Sequence, residues 1–544
     1  MTGALFYAFL MSLLIGTILT PCLMLGGRRV GLLDKPGHRK IHKEPIARVG
    51  GIAFAVGALV SIGYFAPKFG VVIGVIAGLL IIVCMGSLDD FFDLRVRYKF
   101  GGQFLAASVM AIYSHLSWQP FSMFLGFEIS SWLAIFLSII ILVAITNAMN
   151  LSDGLDGLAG GLSFLSFGLV ACLAYQVNDA LVMFLTLPVM GGLLGFLRFN
   201  TFPARVFMGD GGSQFLGFAL GAAALLLTYV ERNPFSPLLA LFLIGIPLLD
   251  LITVMTQRLL TGGNPFQADQ EHFHHKLLTL GFSHHQVVLI IYVVQIGLVV
   301  LAYVCRWSSD FLLGGLYLLL LVLMGTFYYV VYSGRLSSGP FKRLSAETLD
   351  WRTWLHARPW LSKGCLYGLV VGVVGFFLLG VVLPSTLPEK GLYLMVGLGV
   401  FVLGGLWGDD KTRLLTTRMG LYLGSTFVLY GFEHALVEAT LWLHLLFQTF
   451  FGLVFIGLIL TIHLDQGKQF TPNPMDYLLL FLALVMPLLF NVQWGVVELG
   501  EMMAKLIVLF FVCEVLLQAF STKVQHLGYL SGGVLLSLAT RSFW

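Results

Sequence analysis

Four groups of carboxylates, amides and imidazoles stand beside apolar runs of this chain, where charge is expensive and defaults to a functional reading. The first holds Asp89, Asp90 and Asp93, followed by Lys99. Adjacent carboxylates repel, so they tolerate one another best beside a cation or a bound divalent metal. Lys99, about three helical turns further on, can meet a phosphate. Solvated loop acids answered by Arg95 and Arg97 are the plainer alternative. The second group is T-N-A-M-N-L-S-D-G-L-D-G-L-A-G-G at 146–161. Asn147, Asn150, Asp153 and Asp156 are hard oxygen ligands, and the glycines permit close backbone approach. Asn147, Asn150 and Asp153 recur every third residue, which places them on one face of a helical turn. A helix-breaking turn is the competing reading.

The third group, F-M-G-D-G-G-S-Q at 207–214, sets Asp210 in a glycine-rich corner that opens the next apolar run. Free N–H groups there favour anions, although Gly-Asp-Gly-Gly also suits a simple turn. The fourth is D-Q-E-H-F-H-H-K-L-L at 269–278. Asp269, His272, His274 and His275 suit recognition of a phosphate or sugar, a zinc ion, or capping of the next helix. Oxygen ligands with a basic rim fit a Mg²⁺-assisted phosphoryl site, with Mn²⁺ as a substitute, better than a thiolate or imidazole metal site. The six cysteines are scattered in or beside apolar runs and form no CxxC or Cys/His spacing.

The elements that must position these groups follow from composition. Of 544 residues, 58% are hydrophobic and 11% charged, and the mean hydropathy is +0.92. A soluble domain is about a quarter charged. Continuous apolar runs of roughly 17–25 residues predict an all-α, polytopic transmembrane protein and exclude a barrel. About 10–11 spans fit before residue 334, near 5–25, 50–66, 71–88, 101–117, 131–147, 158–175, 181–197, 213–230, 238–257, 287–304 and 311–333. If the loop at 26–49 is cytoplasmic, so are those near 89–100, 148–157, 198–212 and 258–286. Arg28, Arg29, Lys35, Arg39, Lys40, Lys43 and Arg48 lie in the first, and Arg95, Arg97 and Lys99 in the second. The opposite loops are poor in Lys and Arg, so one threading satisfies the positive-inside rule, with the N-terminus outside and the first span uncleaved. The net charge of +4 is modest, and no nucleic-acid partner is expected.

Three segments are expected: a core at 1–333, a cytoplasmic interfacial linker at 334–363, and an extension of about 6–7 spans at 364–544. In the linker, Phe341, Leu344, Thr348, Trp351 and Leu355 recur at helical spacing among basic residues, which suits a helix lying on the membrane surface or an ordinary basic connection. The extension contains G-L-W-G-D-D-K-T-R-L at 405–414, an echo of G-S-L-D-D-F-F-D-L-R at 86–95 that suggests a degenerate partial duplication.

The order of motifs is recognisable. G-L-L-D-K-P-G-H-R-K-I-H-K-E-P-I-A-R-V-G-G at 31–51, L-D-D-F-F-D-L, N-A-M-N-L-S-D-G-L-D-G-L, F-M-G-D-G-G-S and D-x-x-H-x-H-H-x-L-L resemble the polyprenyl-phosphate N-acetylhexosamine-1-phosphate transferases. Within them the chain is most similar to the bacterial undecaprenyl-phosphate GlcNAc-1-phosphate transferases of glycosyltransferase family 4, which start O-antigen, enterobacterial common antigen or teichoic-acid linkage synthesis. The resemblance covers about residues 1–330. It implies that Asn150 and Asp210 hold Mg²⁺ and that Lys99 contacts the diphosphate. It places Asp89 and Asp90 as the paired aspartates that orient or deprotonate the lipid phosphate, and Asp153 and Asp156 in the active-site polar network. Asn147 and Asp269 fall in the substrate-binding set, with His272, His274 and His275 in the loop that separates this branch from the phospho-MurNAc-pentapeptide transferases. Arg39, His42 and Arg48 match a basic first loop that helps to hold substrate. Ala47 stands where P-x-P-R-x-G-G usually has its second Pro, a mild departure.

The implied reaction is transfer of a hexosamine 1-phosphate, GlcNAc-1-phosphate first among candidates, from a UDP-sugar to undecaprenyl phosphate. UMP leaves, at the cytoplasmic face of a bacterial inner membrane, and a homodimer is allowed. The main rivals are a phospho-MurNAc-pentapeptide transferase, which the H-x-H-H loop opposes, and a transporter or flippase. A transporter places its polar groups near mid-span, whereas these acids sit at span ends.

Overall fold

In hydrocarbon an apolar run must close its own backbone hydrogen bonds, and it does so as a helix. The computed structural model describes the chain apart from residues 1, 35–44, 68–69, 115–129, 230–232, 263, 265–270, 334–358, 383–388, 437–440, 465–492, 495–496, 521–523 and 542–544. The chain divides into two compact units, Met1–Lys342 and Arg343–Trp544. Among the described residues, 11 helices are long and apolar enough to cross a membrane, so the protein is all-α and polytopic.

The first unit opens with α1 (Thr2–Val30), the short strands β1 (Leu33–Asp34) and β2 (Ile46–Arg48), α2 (Gly50–Phe65), α3 (Gly70–Phe92) and α4 (Val96–Ser114). There follow α5 (Ser131–Ser152), α6 (Leu158–Gln176), α7 (Ala180–Asn200), β3 (Val206–Phe207) and α8 (Gly209–Leu227). It closes with α9 (Leu239–Ile244), α10 (Ile246–Leu260), α11 (Phe273–Thr279), α12 (His284–Val304) and α13 (Asp310–Tyr332). Helix α8 is central: 94% of its apolar window is buried, against 17% for α13. It packs on α2, α3, α5, α6 and α7. Small residues let the backbones close in, as apolar lipid supplies no hydrophobic drive between helices. A Cβ on Gly217 would stand 2.8 Å from the Cα of Thr146. A Cβ on Gly211 would stand 3.1 Å from the amide nitrogen of Ser87.

Two features depart from uninterrupted spans. A three-stranded sheet in the order β1-β2-β3 lies at the end of the bundle where α3 ends and α8 begins, with β1 antiparallel and β2 parallel to its neighbour β3. It ties the basic first loop to the Gly-Asp-Gly-Gly corner, and Gly51 N–H donates to Met208 O at 3.0 Å. The run at 238–257, expected as one span, is broken into α9 and α10 at Gly245, whose φ is +69°. The freed Ile246 N–H is not orphaned: it donates to Gln295 Oε1 at 2.9 Å, and Gln295 Nε2 donates to Ser166 Oγ at 2.9 Å.

The second unit contains α14 (Pro359–Val382), α15 (Glu389–Gly405), α16 (Asp410–Leu436) and α17 (Leu441–Leu464). A two-residue hairpin pair, β4 (Gln493–Trp494) and β5 (Val497–Glu498), leads into α18 (Leu499–Ala519) and α19 (Val524–Arg541). Leu369, Phe376, Phe377, Leu429, Val512 and Leu535 centre its core. Its deeper charges are paired, Lys505 with Glu433 at 2.7 Å and Arg418 with Glu514 at 2.6 Å. Asp409 accepts the Thr412 N–H at 3.2 Å at the start of α16, and Asp410 pairs with Arg413 at 3.1 Å. Asp89 and Asp90 instead end α3, so the echoed Asp-Asp pairs occupy opposite kinds of helix terminus. The expected linker falls almost wholly outside the described residues, as does the amphipathic pattern at 341–355.

Candidate active site

The last turn of α3, the first turn of α4, the end of α5 and the first turn of α8 meet at one end of the first unit. Asp90, Asn150 and Asp210, distant in sequence, are thereby neighbours. Asp90 receives the N–H groups of Asp210 at 3.0 Å and Gly211 at 3.1 Å, one on each carboxylate oxygen. A carboxylate at the N-terminus of a helix satisfies orphan donors and meets the positive end of the dipole. Gly209 makes this possible with a φ of +72°, since a Cβ there would strike the Asp90 carboxylate. Asp90 thus fastens α8 to α3 and aims the Asp210 side chain.

Asp89 is buried and accepts Leu94 N–H at 2.8 Å. Its other oxygen meets Lys99, whose ammonium also lies 3.3 Å from Asp210. The carboxylates of Asp89 and Asp210 hydrogen-bond each other, and Asn150 hydrogen-bonds Asp210. Asn150 also donates to Ser213 Oγ at 2.7 Å. Two touching carboxylates cannot both be charged without a proton or a cation between them. Lys99 supplies one positive charge to two acids. The donor set fits Mg²⁺, which takes one or two carboxylates and completes its octahedron with water or phosphate. Among the described residues, no three His, Cys, Asp or Glu side chains form a ready-made protein cage.

Asp153 and Asp156 occupy the turn between α5 and α6. Asp153 is half-buried, and desolvation raises its carboxyl to about 7, with the charges of Asp210, Asp90 and Asp156 adding. The charge of Arg48 works against that rise. Asp156 accepts the Ala204 N–H at 2.9 Å. Gly157, at φ +78°, gives its N–H to Asn200 at 3.1 Å and receives Tyr292 OH at 2.7 Å. The turn is therefore held from three sides. Arg48 pairs with Asp34 across β1 and β2, close enough to act on Asp90 and Asp153. Arg39, His42 and Asp269 lie outside the described residues.

The histidine segment forms α11 and the residue before it. His272 Nδ1 lies 3.0 Å from Asp250, which also accepts Phe273 N–H at 3.1 Å and the Tyr328 hydroxyl. A carboxylate on Nδ1 fixes the tautomer and leaves Nε2 as the acceptor. His274 is buried against Gly154, where a Cβ would overlap its imidazole. Burial, with His275 and His272 adding, pushes its pKa down to about 3, so it is neutral at any working pH. Through this contact the histidine segment reaches the Asp153 turn. His275 packs its ring 4.2 Å from that of His274.

Asn147 is placed differently from Asn150. Its amide donates to Gln103 at 2.6 Å and to Val143 O at 2.8 Å, one turn inside the pocket. Sequence reasoning missed Gln103, Gln214, Ser213 and Asp250. Asp250 carried a usable signal, a lone carboxylate inside an apolar run. The three polar uncharged residues carried none, since Ser and Gln are common in helices.

Residues 72–228, which contain the acids, Lys99 and both asparagines, match the family model described as glycosyl transferase family 4. The probable undecaprenyl-phosphate N-acetylglucosaminyl 1-phosphate transferase of Bacillus subtilis (strain 168) is 35% identical over 316 residues, 56% of this chain and 87% of that protein. The chain belongs to glycosyl transferase family 4. The undecaprenyl-phosphate alpha-N-acetylglucosaminyl 1-phosphate transferases of Escherichia coli (strain K12) and Yersinia pestis are similar too. They are 32% and 34% identical, each match covering 48% of this chain and 74% of the relative. Within that family match the carboxylates gather around one lysine at a helix terminus. The second unit adds to that core the six helices α14–α19 among the described residues.

Proposed function

We propose that this family 4 enzyme transfers N-acetylglucosamine 1-phosphate from UDP-GlcNAc to undecaprenyl phosphate, releasing UMP. The site faces the cytoplasm of a bacterial inner membrane, as the Lys and Arg bias of the loops favours. The observation that carries the reading is Lys99 held between Asp89 and Asp210, beside Asn150, at the N-terminus of α8. The named relatives supply the substrate class.

An oxygen of the lipid phosphate attacks the β-phosphorus of UDP-GlcNAc. The bond from that phosphorus to the bridging oxygen breaks, and UMP leaves with the electron pair. Both reactants are anions, so the barrier is dominated by bringing negative charges together. Lys99 offsets this by turning from its two carboxylates toward the diphosphate. Bound Mg²⁺, held by Asp210 and Asn150, would neutralise the diphosphate oxygens and the charge growing on UMP. Asp89 orients the attacking phosphate; that nucleophile is largely ionised at neutral pH, so a base contributes little. His275, partly buried, offers an imidazole contact to the nucleotide or sugar, and His272 is buried on Asp250.

The test is UMP release by the purified full-length protein in lipid nanodiscs across a panel of UDP-sugars. Release with UDP-GlcNAc and undecaprenyl phosphate, above that with UDP-GalNAc or UDP-MurNAc-pentapeptide, is expected. Release only with the pentapeptide nucleotide would replace the reading.

Proton release gives a second check. Asp153 is raised to about 7 by burial and by neighbouring negative charge. Its proton is therefore held below pH 7 and lost above it. A cation in the pocket weakens the repulsive part of that rise, so Mg²⁺ binding at pH 7 releases protons and at pH 8.5 almost none. Calorimetry in two buffers of different ionisation enthalpy reads this directly. Asp153→Asn lowers the release.

A further inference from the structure

Beneath the pocket lies a second polar layer that no step of the proposed reaction uses. Gln103 on α4 joins both Asn147 on α5 and Gln214 on α8. Gln103 Nε2 donates to Gln214 Oε1 at 3.1 Å and to Asn147 Oδ1 at 3.3 Å. Asn147 Nδ2 returns a bond to Gln103 Oε1 at 2.6 Å. Gln103 and Gln214 are each 2% exposed, in surroundings where an unpaired amide costs most.

The position of each amide is the informative fact. Gln103 follows Lys99 by four residues, Gln214 follows Asp210 by four, and Asn147 precedes Asn150 by three. Helices α4 and α8 run away from the pocket, and α5 runs toward it. Every amide is thus one turn, about 4.5–6 Å, deeper than a pocket residue on its own helix. Apolar side chains at these positions would let three helices slide or rotate in small steps. Directional amide bonds do not.

We propose that Gln103, Asn147 and Gln214 form a positioning clamp that sets the distances among Lys99, Asn150 and Asp210. The clamp rests on the proposed function for its purpose, though not for its geometry. All three are positioning residues: Asn147, with its amide engaged below the pocket, acts through Asn150 rather than on substrate. Interhelical bonds of this kind contribute only modestly to membrane-protein stability. Their effect on rate is larger, because a displacement near 1 Å at a reacting group costs about a hundredfold.

The experiment compares Gln103→Leu, Gln214→Leu and the double variant in the full-length protein. Each is measured for thermal stability, for kcat and KM in UMP release, and for hydrogen exchange of residues 206–216. Gln214→Leu removes one bond across α4 and α8, and Gln103→Leu leaves both Gln214 and Asn147 without their Gln103 contacts; each is expected to lose stability, Gln103→Leu more, and about 30-fold in kcat with KM within threefold. Exchange at 209–213 speeds up about tenfold. The double variant strands neither partner of the Gln103–Gln214 bond and leaves only Asn147 short of its Gln103 contacts, its Nδ2 still on Val143 O at 2.8 Å, so stability recovers part of the way from Gln103→Leu while kcat stays low and exchange stays fast. Recovery of kcat and exchange together with stability would reduce the amides to packing and overturn the clamp. Unchanged kcat in the single variants would overturn it as well. A wild-type protein without UMP release would fail the proposed function instead, and the exchange data would still decide the clamp.

Discussion

Asp210→Asn lowers kcat by at least about a thousandfold, the scale for losing a group that stabilises transition-state charge. The substitution keeps the shape of the side chain and removes its charge. Helix α8 remains in place, because Asp90 binds the backbone N–H of Asp210 and not its side chain. Membrane expression and thermal stability therefore stay near wild type. The lost carboxylate is the one shared by Lys99, Asp89 and Asn150, so both the cation balance and the proposed metal set collapse together. Activity within tenfold of wild type at saturating Mg²⁺ would remove Asp210 from the chemistry.

Lys99→Met lowers kcat/KM by about 10³-fold, in the range for removing a basic group that acts on transferred phosphoryl oxygens. Here the fold also changes its electrostatics. Asp89 and Asp210 touch each other, and without the ammonium they must take up a proton or a metal ion. The variant is therefore expected to gain more thermal stability from added Mg²⁺ than wild type does. Lys99→Arg recovers only part of the rate, since a planar guanidinium cannot reproduce a compact ammonium seated between two acids. A Lys99→Met protein with unaltered kcat/KM would show that the ammonium serves only to quiet the two carboxylates.

The spans and the acids were legible because both are cases of one energetic rule. Long apolar runs belong in hydrocarbon, and charges beside them require a purpose. Asp89, Asp90, Lys99, Asn150, Asp153, Asp156 and Asp210 were all singled out on that ground, and the structure gathers them at one end of the bundle. Depth was not legible. Asn147 and Asn150 share a helix face by their spacing, but spacing gives direction and not height along the axis. One turn separates a residue beside Asp210 from a residue engaged beneath it. The β1-β2-β3 sheet was invisible for another reason: two- and three-residue strands leave no alternation to read. The break at Gly245 disappears in any hydropathy window, because Gly, Ile and Pro interrupt geometry without adding charge.

Asp90 carries the same lesson from the other direction. As an acid beside a span it reads as catalytic, yet both of its oxygens hold the backbone of α8. His274 likewise looks like a ligand in sequence and is buried against Gly154 as a neutral ring. In each, packing sets the direction of the side chain.

The most direct measurement follows the β-phosphate. The full-length protein in nanodiscs is given undecaprenyl phosphate, Mg²⁺ and UDP-GlcNAc carrying a radiolabel at the β-phosphorus. Sugar-1-phosphate transfer predicts that the label moves into the lipid fraction, in equal amount to the UMP formed. Label retained in the aqueous fraction as UDP, with unlabelled sugar on the lipid, would contradict the account.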